Sequence, residues 1–102
     1  MLDELITKRV QIEELCRKHH VRRLAVFGSA LRDDFNPARS DIDFIVEFGP
    51  LSPAEYADNY FDLRDALASL FGREVDVISS QNIRNPFFRH ELETTQETLY
   101  AA

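Results

Sequence analysis

An apolar run that breaks on Gly28-Ser29, and a second run that opens twelve residues later with Asp41-Ile42-Asp43, restrict the fold of this chain more than anything else in it. The first run reads Leu24-Ala25-Val26-Phe27 and the second continues Phe44-Ile45-Val46. Side chains at i and i+2 of a strand share a face, so Asp41 and Asp43 project to one side while Ile42, Phe44 and Val46 enter a core. Gly28 allows a tight exit from the first strand, with no Cβ to keep backbone amides away from a phosphate. Ser29 then opens a helical turn whose free N–H groups and hydroxyl face the same anion. For acids and turn to serve one site, the end of the first strand must lie beside the start of the second. Those two strands are therefore antiparallel neighbours.

A third acid lies in another short strand pattern, Glu74-Val75-Asp76-Val77-Ile78. A charge inside such a pattern is costly without a partner, which gives Asp76 a reason to sit beside Asp41 and Asp43. Three such carboxylates are hard oxygen donors suited to Mg²⁺, and they suffice for two ions, with Asp76 on the side of the attacking hydroxyl as ligand or base. Strands two and three then run parallel, and a parallel pair needs a crossover. Ser52-Pro53-Ala54-Glu55 has capping-box spacing with Pro at the first helical position, and Gly72 can close the far end. Tyr56, Tyr60, Leu63, Leu67, Leu70 and Phe71 form the inward stripe of that helix. Taken singly, Gly-Ser is a common turn, Asp-x-Asp a common solvated face and Asp76 a residue that an Arg can pair; their order and strand context carry the reading.

Between the two motifs, Arg32 is placed to reach the same anion, with surface pairing to Asp33 or Asp34 an equal alternative. Asp33-Asp34-Phe35-Asn36-Pro37 breaks the turn, and Ser40, counted with the nucleotide-binding residues, leads into strand two. Ahead of the motifs, Leu2 to His19 reads as one helix with Leu5, Ile6, Ile12, Leu15 and Cys16 inward, ended by His19-His20 in a capping or solvated role. Behind them, Asn85-Pro86 starts a last helix carrying Phe87, Phe88 and Leu92, followed by a polar stretch and Leu99-Tyr100. The expected class is α+β: a small mixed sheet, with strands at about 23–27, 41–48 and 74–79, and helices packed on it.

The 102 residues point to one domain, 1–102, with little room for a second module to present an acceptor. A formal charge of −6 and a pI near 4.9 provide no basic footprint for an extended nucleic acid. A nucleoside triphosphate or a protein acceptor suits the charge better. The single Cys16 fits a reducing compartment and a packing role. No stretch reaches membrane-spanning length and Met1-Leu2-Asp3-Glu4 is unlike a signal segment, so a cytoplasmic location is expected.

With Gly28, Ser29, Asp41, Asp43 and Asp76 in this order, the chain resembles the nucleotidyltransferase superfamily that includes DNA polymerase β. It looks most like the smallest members, the minimal nucleotidyltransferase (MNT) proteins. The resemblance runs from about Leu15 through Ser79 and departs at Asp33, where many members have Gly after the Arg of the Gly-Ser loop. It implies the polymerase β palm-like fold and transfer of AMP from ATP to an acceptor hydroxyl with release of pyrophosphate. In that scheme Asp41 and Asp43 bridge two Mg²⁺, Asp76 completes the nucleophile-side metal, and Gly28 with Ser29 holds the β- and γ-phosphates. It also implies an antitoxin of the HEPN/MNT kind, set beside a HEPN-domain ribonuclease toxin, since some members adenylylate a tyrosine on that toxin. Partner contacts are then expected at the exposed aromatics among Tyr56, Tyr60, Phe61, Phe87 and Phe88. Two alternatives stand: a binding-only antitoxin acting by occlusion, against which the intact acid set counts, and a small-molecule nucleotidyltransferase of the antibiotic-modifying kind, against which the length counts.

Overall fold

The alternation in Ile42-Asp43-Phe44-Ile45-Val46 separates the two faces of a sheet. A computed structural model describes residues 2–31 and 41–102. Along β2 (Ile42–Phe48), Ile42, Phe44, Val46 and Phe48 are buried on one face and Asp43 and Glu47 are partly open on the other. β1 (Val21–Phe27) runs antiparallel to β2, and β3 (Val75–Ser79) runs parallel to it on the far side. Both relations agree with the sequence expectation, and the first strand begins at Val21, two residues ahead of the expected 23.

A fourth strand, β4 (Glu97–Ala101), was not expected; the tail around Leu99-Tyr100 pairs antiparallel with the free edge of β1, giving the order β3-β2-β1-β4. Only Leu99 of this strand is buried, so its own pattern is too sparse to announce it. The pairing partner supplies what the pattern lacks: Leu24 lies opposite Tyr100, and Arg23 donates to Thr98 Oγ1 at 3.2 Å.

The crossover between β2 and β3 is α3 (Pro53–Phe71), built as its end signals dictate. The Glu55 N–H donates to Ser52 Oγ at 3.2 Å and the Ser52 N–H donates to Glu55 Oε1 at 3.1 Å, which satisfies two helix-start donors reciprocally. Gly72 closes the helix in the left-handed region at φ 63°. Leu63, Leu67 and Phe71 are buried, with Tyr56, Tyr60 and Leu70 packed at the margin of the same core. The Tyr60 hydroxyl donates to the Val77 carbonyl at 2.6 Å, covering part of the outer edge of β3, which would otherwise present unpaired groups.

The N-terminal segment is two helices, not one: α1 (Asp3–Thr7) and α2 (Arg9–Lys18) meet at Lys8. Lys8 Nζ donates to the Leu70 carbonyl at 2.9 Å, near the negative end of α3, and Arg73 pairs with Glu4 at 3.2 Å. These contacts bind α1 to the far end of α3, and Ile6 is left exposed instead of inward. His19 also departs from expectation: it is 8% exposed, and burial, followed by the Lys18 charge, holds its imidazole below the ordinary histidine range despite an opposing pull from Asp62. His20 is the exposed member of the pair and takes the left-handed turn at φ 59°.

Helices α1 to α3 thus cover one face of the sheet. The other face carries a smaller cluster of Ala25, Ile45, Ile83 and Leu92, flanked by Phe27 and Ile78. Leu92 comes from α4 (Pro86–Thr95), which begins at Asn85-Pro86 as its sequence indicates, with Asn85 Oδ1 accepting from the Phe87 and Phe88 amides. Among the described residues, no helix is long and apolar enough to cross a membrane.

Candidate active site

Register alone brings the acids of two strands together. Phe27 is the partner of Asp43 across β1 and β2, and Asp43 is the partner of Asp76 across β2 and β3, so the three form one row over three strands. Neighbouring strands lie about 4.8 Å apart, and paired residues project to the same face. Asp41, one residue ahead of β2 and two ahead of Asp43, is exposed at the same end of the sheet. Asp76 is exposed between buried Val75 and Val77, the strand alternation that keeps its carboxylate out of the core.

Gly28 sits at the exit of β1 with φ 73°, and a Cβ built there would stand 2.6 Å from Asp43 Oδ2. The Asp43 carboxylate therefore occupies the space that any larger residue at 28 would take. Only glycine meets both conditions, the left-handed backbone and the close approach. The turn it opens, a 3₁₀ segment Gly28–Leu31 containing Ser29, is anchored by the Leu2 N–H donating to the Ala30 carbonyl at 2.7 Å. Arg32 and Ser40, expected at the nucleotide, lie outside the described residues, as do Asp33 and the rest of 32–40.

Two concavities border this row. One, of about 390 Å³, is lined by Phe27, Asp43, Asp76, Ile78, Tyr60 and Arg64 among others, and it wraps the edge of β3. The other, of about 570 Å³, lies on the β1 side between the Gly28 turn and α4, lined by Phe27, Gly28, Leu31, Phe88, Glu91, Leu92 and Thr95. Tyr60, one of the aromatics considered for a partner contact if exposed, borders the acids. Arg64 and Glu91 were not foreseen in the site; the only signal for Arg64 was its place one turn after Tyr60 on α3. Of the aromatics expected to meet a partner, Phe61, Phe87 and Phe88 are exposed, whereas Tyr56 and Tyr60 pack against the core.

The donor set suits a hard divalent cation. Asp41, Asp43 and Asp76 offer only carboxylate oxygens, and the tight seat of Asp43 against Gly28 holds one of them at the turn that ends β1. Among the described residues, no three acid, imidazole or thiol side chains are already gathered as a metal cage, so the carboxylates share a face and an end of the sheet without converging. Cys16 is remote from this chemistry: it is fully buried in the α2 core, and burial pushes its thiol up to about 12.

The nucleotidyltransferase domain family matches residues 8–99. Methanocaldococcus jannaschii MJ0128, named as a candidate protein adenylyltransferase, is 33% identical over 91 residues, covering 81% of this chain and 89% of the relative. The solved structure of a candidate minimal nucleotidyltransferase superposes with a TM-score of 0.79 at 28% identity, covering 95% of each chain. A chain in the complex of tri-AMPylated Shewanella oneidensis HEPN toxin with MNT antitoxin superposes with a TM-score of 0.65 at 19% identity, covering 96% of this chain and 73% of that one. At that identity the last likeness speaks for the fold alone.

Proposed function

The chain belongs to the nucleotidyltransferase domain family, and from that premise we propose that it moves AMP from ATP to a hydroxyl of a partner protein, as the antitoxin of a HEPN-type ribonuclease toxin. The observation that carries the chemistry is the row of Asp43 and Asp76 beside Gly28: acids on adjacent strands, one of them seated against a left-handed glycine turn. Members of the family use a nucleoside triphosphate and a divalent metal. Mg²⁺ held by Asp41, Asp43 and Asp76 would neutralise charge on the triphosphate and on the attacking oxygen. The Gly28 turn, with Ser29 following it, binds the β- and γ-phosphates through backbone N–H groups. In this reading Asp76, on the outermost of the three strands, faces the acceptor and takes the hydroxyl proton. The acceptor oxygen bonds to the α-phosphorus, the bond from that phosphorus to the bridging oxygen of the β-phosphate breaks, and pyrophosphate leaves. Positioning and charge neutralisation, more than covalent participation by the protein, carry such a step.

The acceptor is read as a protein because relatives at this identity are named as candidate protein adenylyltransferases; the HEPN-type partner follows the complex of the fold neighbour, in which the HEPN toxin is the AMPylated molecule. The test is incubation with labelled ATP, Mg²⁺ and a HEPN-type protein from the same genome. A partner heavier by one or more AMP units, none of it formed in EDTA, is expected. An unmodified partner together with strong transfer to an aminoglycoside would favour the small-molecule enzyme, and neutralisation of the toxin without ATP would favour occlusion.

A further inference from the structure

The lateral order of the site separates donor from acceptor. Gly28 ends β1, Asp43 lies on β2 and Asp76 on the edge strand β3, so a triphosphate seated at Gly28 leaves the β3 side for the acceptor. The element that borders this side is α3, held to β3 by the Tyr60 to Val77 hydrogen bond. One turn beyond Tyr60, Arg64 lines the same cavity as Asp43 and Asp76 and is the only cation among the described residues that do so. It also lines the adjoining hollow of about 280 Å³ with Asp65, Glu74 and Asp76.

Its guanidinium is placed, not loose. It lies 5.1 Å from the centroid of the Phe61 ring, a contact between residues three apart on one helix face. The ion pair it makes, to Asp65 at 3.6 Å, joins two solvated neighbours and holds it weakly. Asp65 and Glu74, which line the adjoining hollow and hold no metal in the scheme above, repel any acceptor that carries negative charge near its hydroxyl. A guanidinium fork at the rim reverses that repulsion at one point and fits a carboxylate or phosphate through paired N–H bonds.

We infer that Arg64 is a specificity-determining residue on the acceptor side, where it receives an oxyanion carried close to the acceptor hydroxyl. This rests on the AMP transfer proposed above. The oxyanion is either a carboxylate of the partner or the phosphodiester of an AMP already attached to it, and the order of additions separates the two.

The experiment follows AMP additions to the HEPN-type partner by intact mass, with wild type, Arg64→Gln and Arg64→Lys, and measures Mg·ATP affinity by calorimetry in parallel. A lost charge-assisted hydrogen bond corresponds to about tenfold or more, so Arg64→Gln is expected to raise KM for the acceptor by that factor with Mg·ATP affinity unchanged. Arg64→Lys is expected to recover only part of it, being a point charge without the fork. A defect already in the first addition assigns the oxyanion to the partner's carboxylate; a normal first addition followed by arrest at one AMP assigns it to the phosphodiester. Unchanged acceptor kinetics and product distribution in Arg64→Gln would overturn the inference, as would a loss of Mg·ATP affinity equal to the loss in turnover, which would make Arg64 a mere counter-charge to Asp76. Absence of any transfer by wild type would remove the underlying reading, and this inference with it.

Discussion

Gly28 and Asp43 constrain each other, and the contact between them can be broken from either side. Gly28→Ala places a Cβ 2.6 Å from Asp43 Oδ2 in a backbone at φ 73°, so both strain and displacement follow. The left-handed conformation alone costs about 1–2 kcal/mol for a residue with a Cβ. Urea unfolding is expected to show at least that loss, and AMP transfer is expected to fall further than stability does, because the displaced group is the carboxylate of the site. Asp43→Asn keeps the shape and removes the charge. Transfer is expected to vanish in Asp43→Asn and in Asp41→Asn, while Asp41→Asn, at an exposed position, is expected to change stability by less than about 0.5 kcal/mol. Near-wild-type turnover in both variants would place the site elsewhere. The contrast in stability expected between Gly28→Ala and Asp41→Asn separates a damaged frame from damaged chemistry.

At the scale of elements, α3 has the most local specification, and a pH measurement can expose it. Hydrogen bonds from Ser52, backbone first, hold the Glu55 carboxyl below its ordinary value of 4.5. A carboxylate favoured by the fold contributes stability that is present above that value and lost as pH falls through the depressed one. The unfolding midpoint of wild type is therefore expected to exceed that of Glu55→Gln near neutrality, with the gap closing as the solution is acidified below 4.5. Ser52→Ala, which removes the cap acceptor, is expected to cost about 1 kcal/mol by urea titration. The same locality explains what could be read in advance. Ser52, Pro53, Glu55 and Gly72 mark the ends of α3 within a few residues of each other's bonds, and Asp43 and Asp76 follow from strand alternation plus one crossover. The strand at Glu97–Ala101 and the break at Lys8 depend on partners far along the chain, namely the free edge of β1 and the Leu70 carbonyl. Arg64 was invisible for a related reason: nothing in its own neighbourhood distinguishes a helix cation that shields solvent from one that overlooks a site, until β3 is laid beside it.

For the molecule as a whole, the distribution of apolar surface separates the nucleotide from the partner. Helices α1 to α3 close one face of the sheet over a continuous core, whereas α4 covers the other face with little more than Leu92. The exposed end of α4 carries Phe87 at 84% exposure and Phe88 at 41%, the latter lining the groove that leads to Gly28. A side chain as open as Phe87 contributes almost nothing to folding, and substitutions at such positions usually change stability by less than about 0.5 kcal/mol. An exposed aromatic on the helix that borders the Gly28 groove is, however, the kind of anchor that dominates an interface, where truncation costs about 2 kcal/mol or more. Phe87→Ala is therefore expected to leave the unfolding midpoint and Mg·ATP binding as in wild type, and to weaken capture of the HEPN-type partner by about thirtyfold, the factor that corresponds to such a cost. Titration of the partner onto the two proteins by calorimetry or surface binding reads the difference directly. Equal affinities would take α4 out of the interface and move attention to the Phe61 face of α3, which borders the acceptor side of the site. A matched fall in partner affinity and Mg·ATP affinity would instead mean that α4 shapes the nucleotide groove, and that Phe87 reaches the partner only through it.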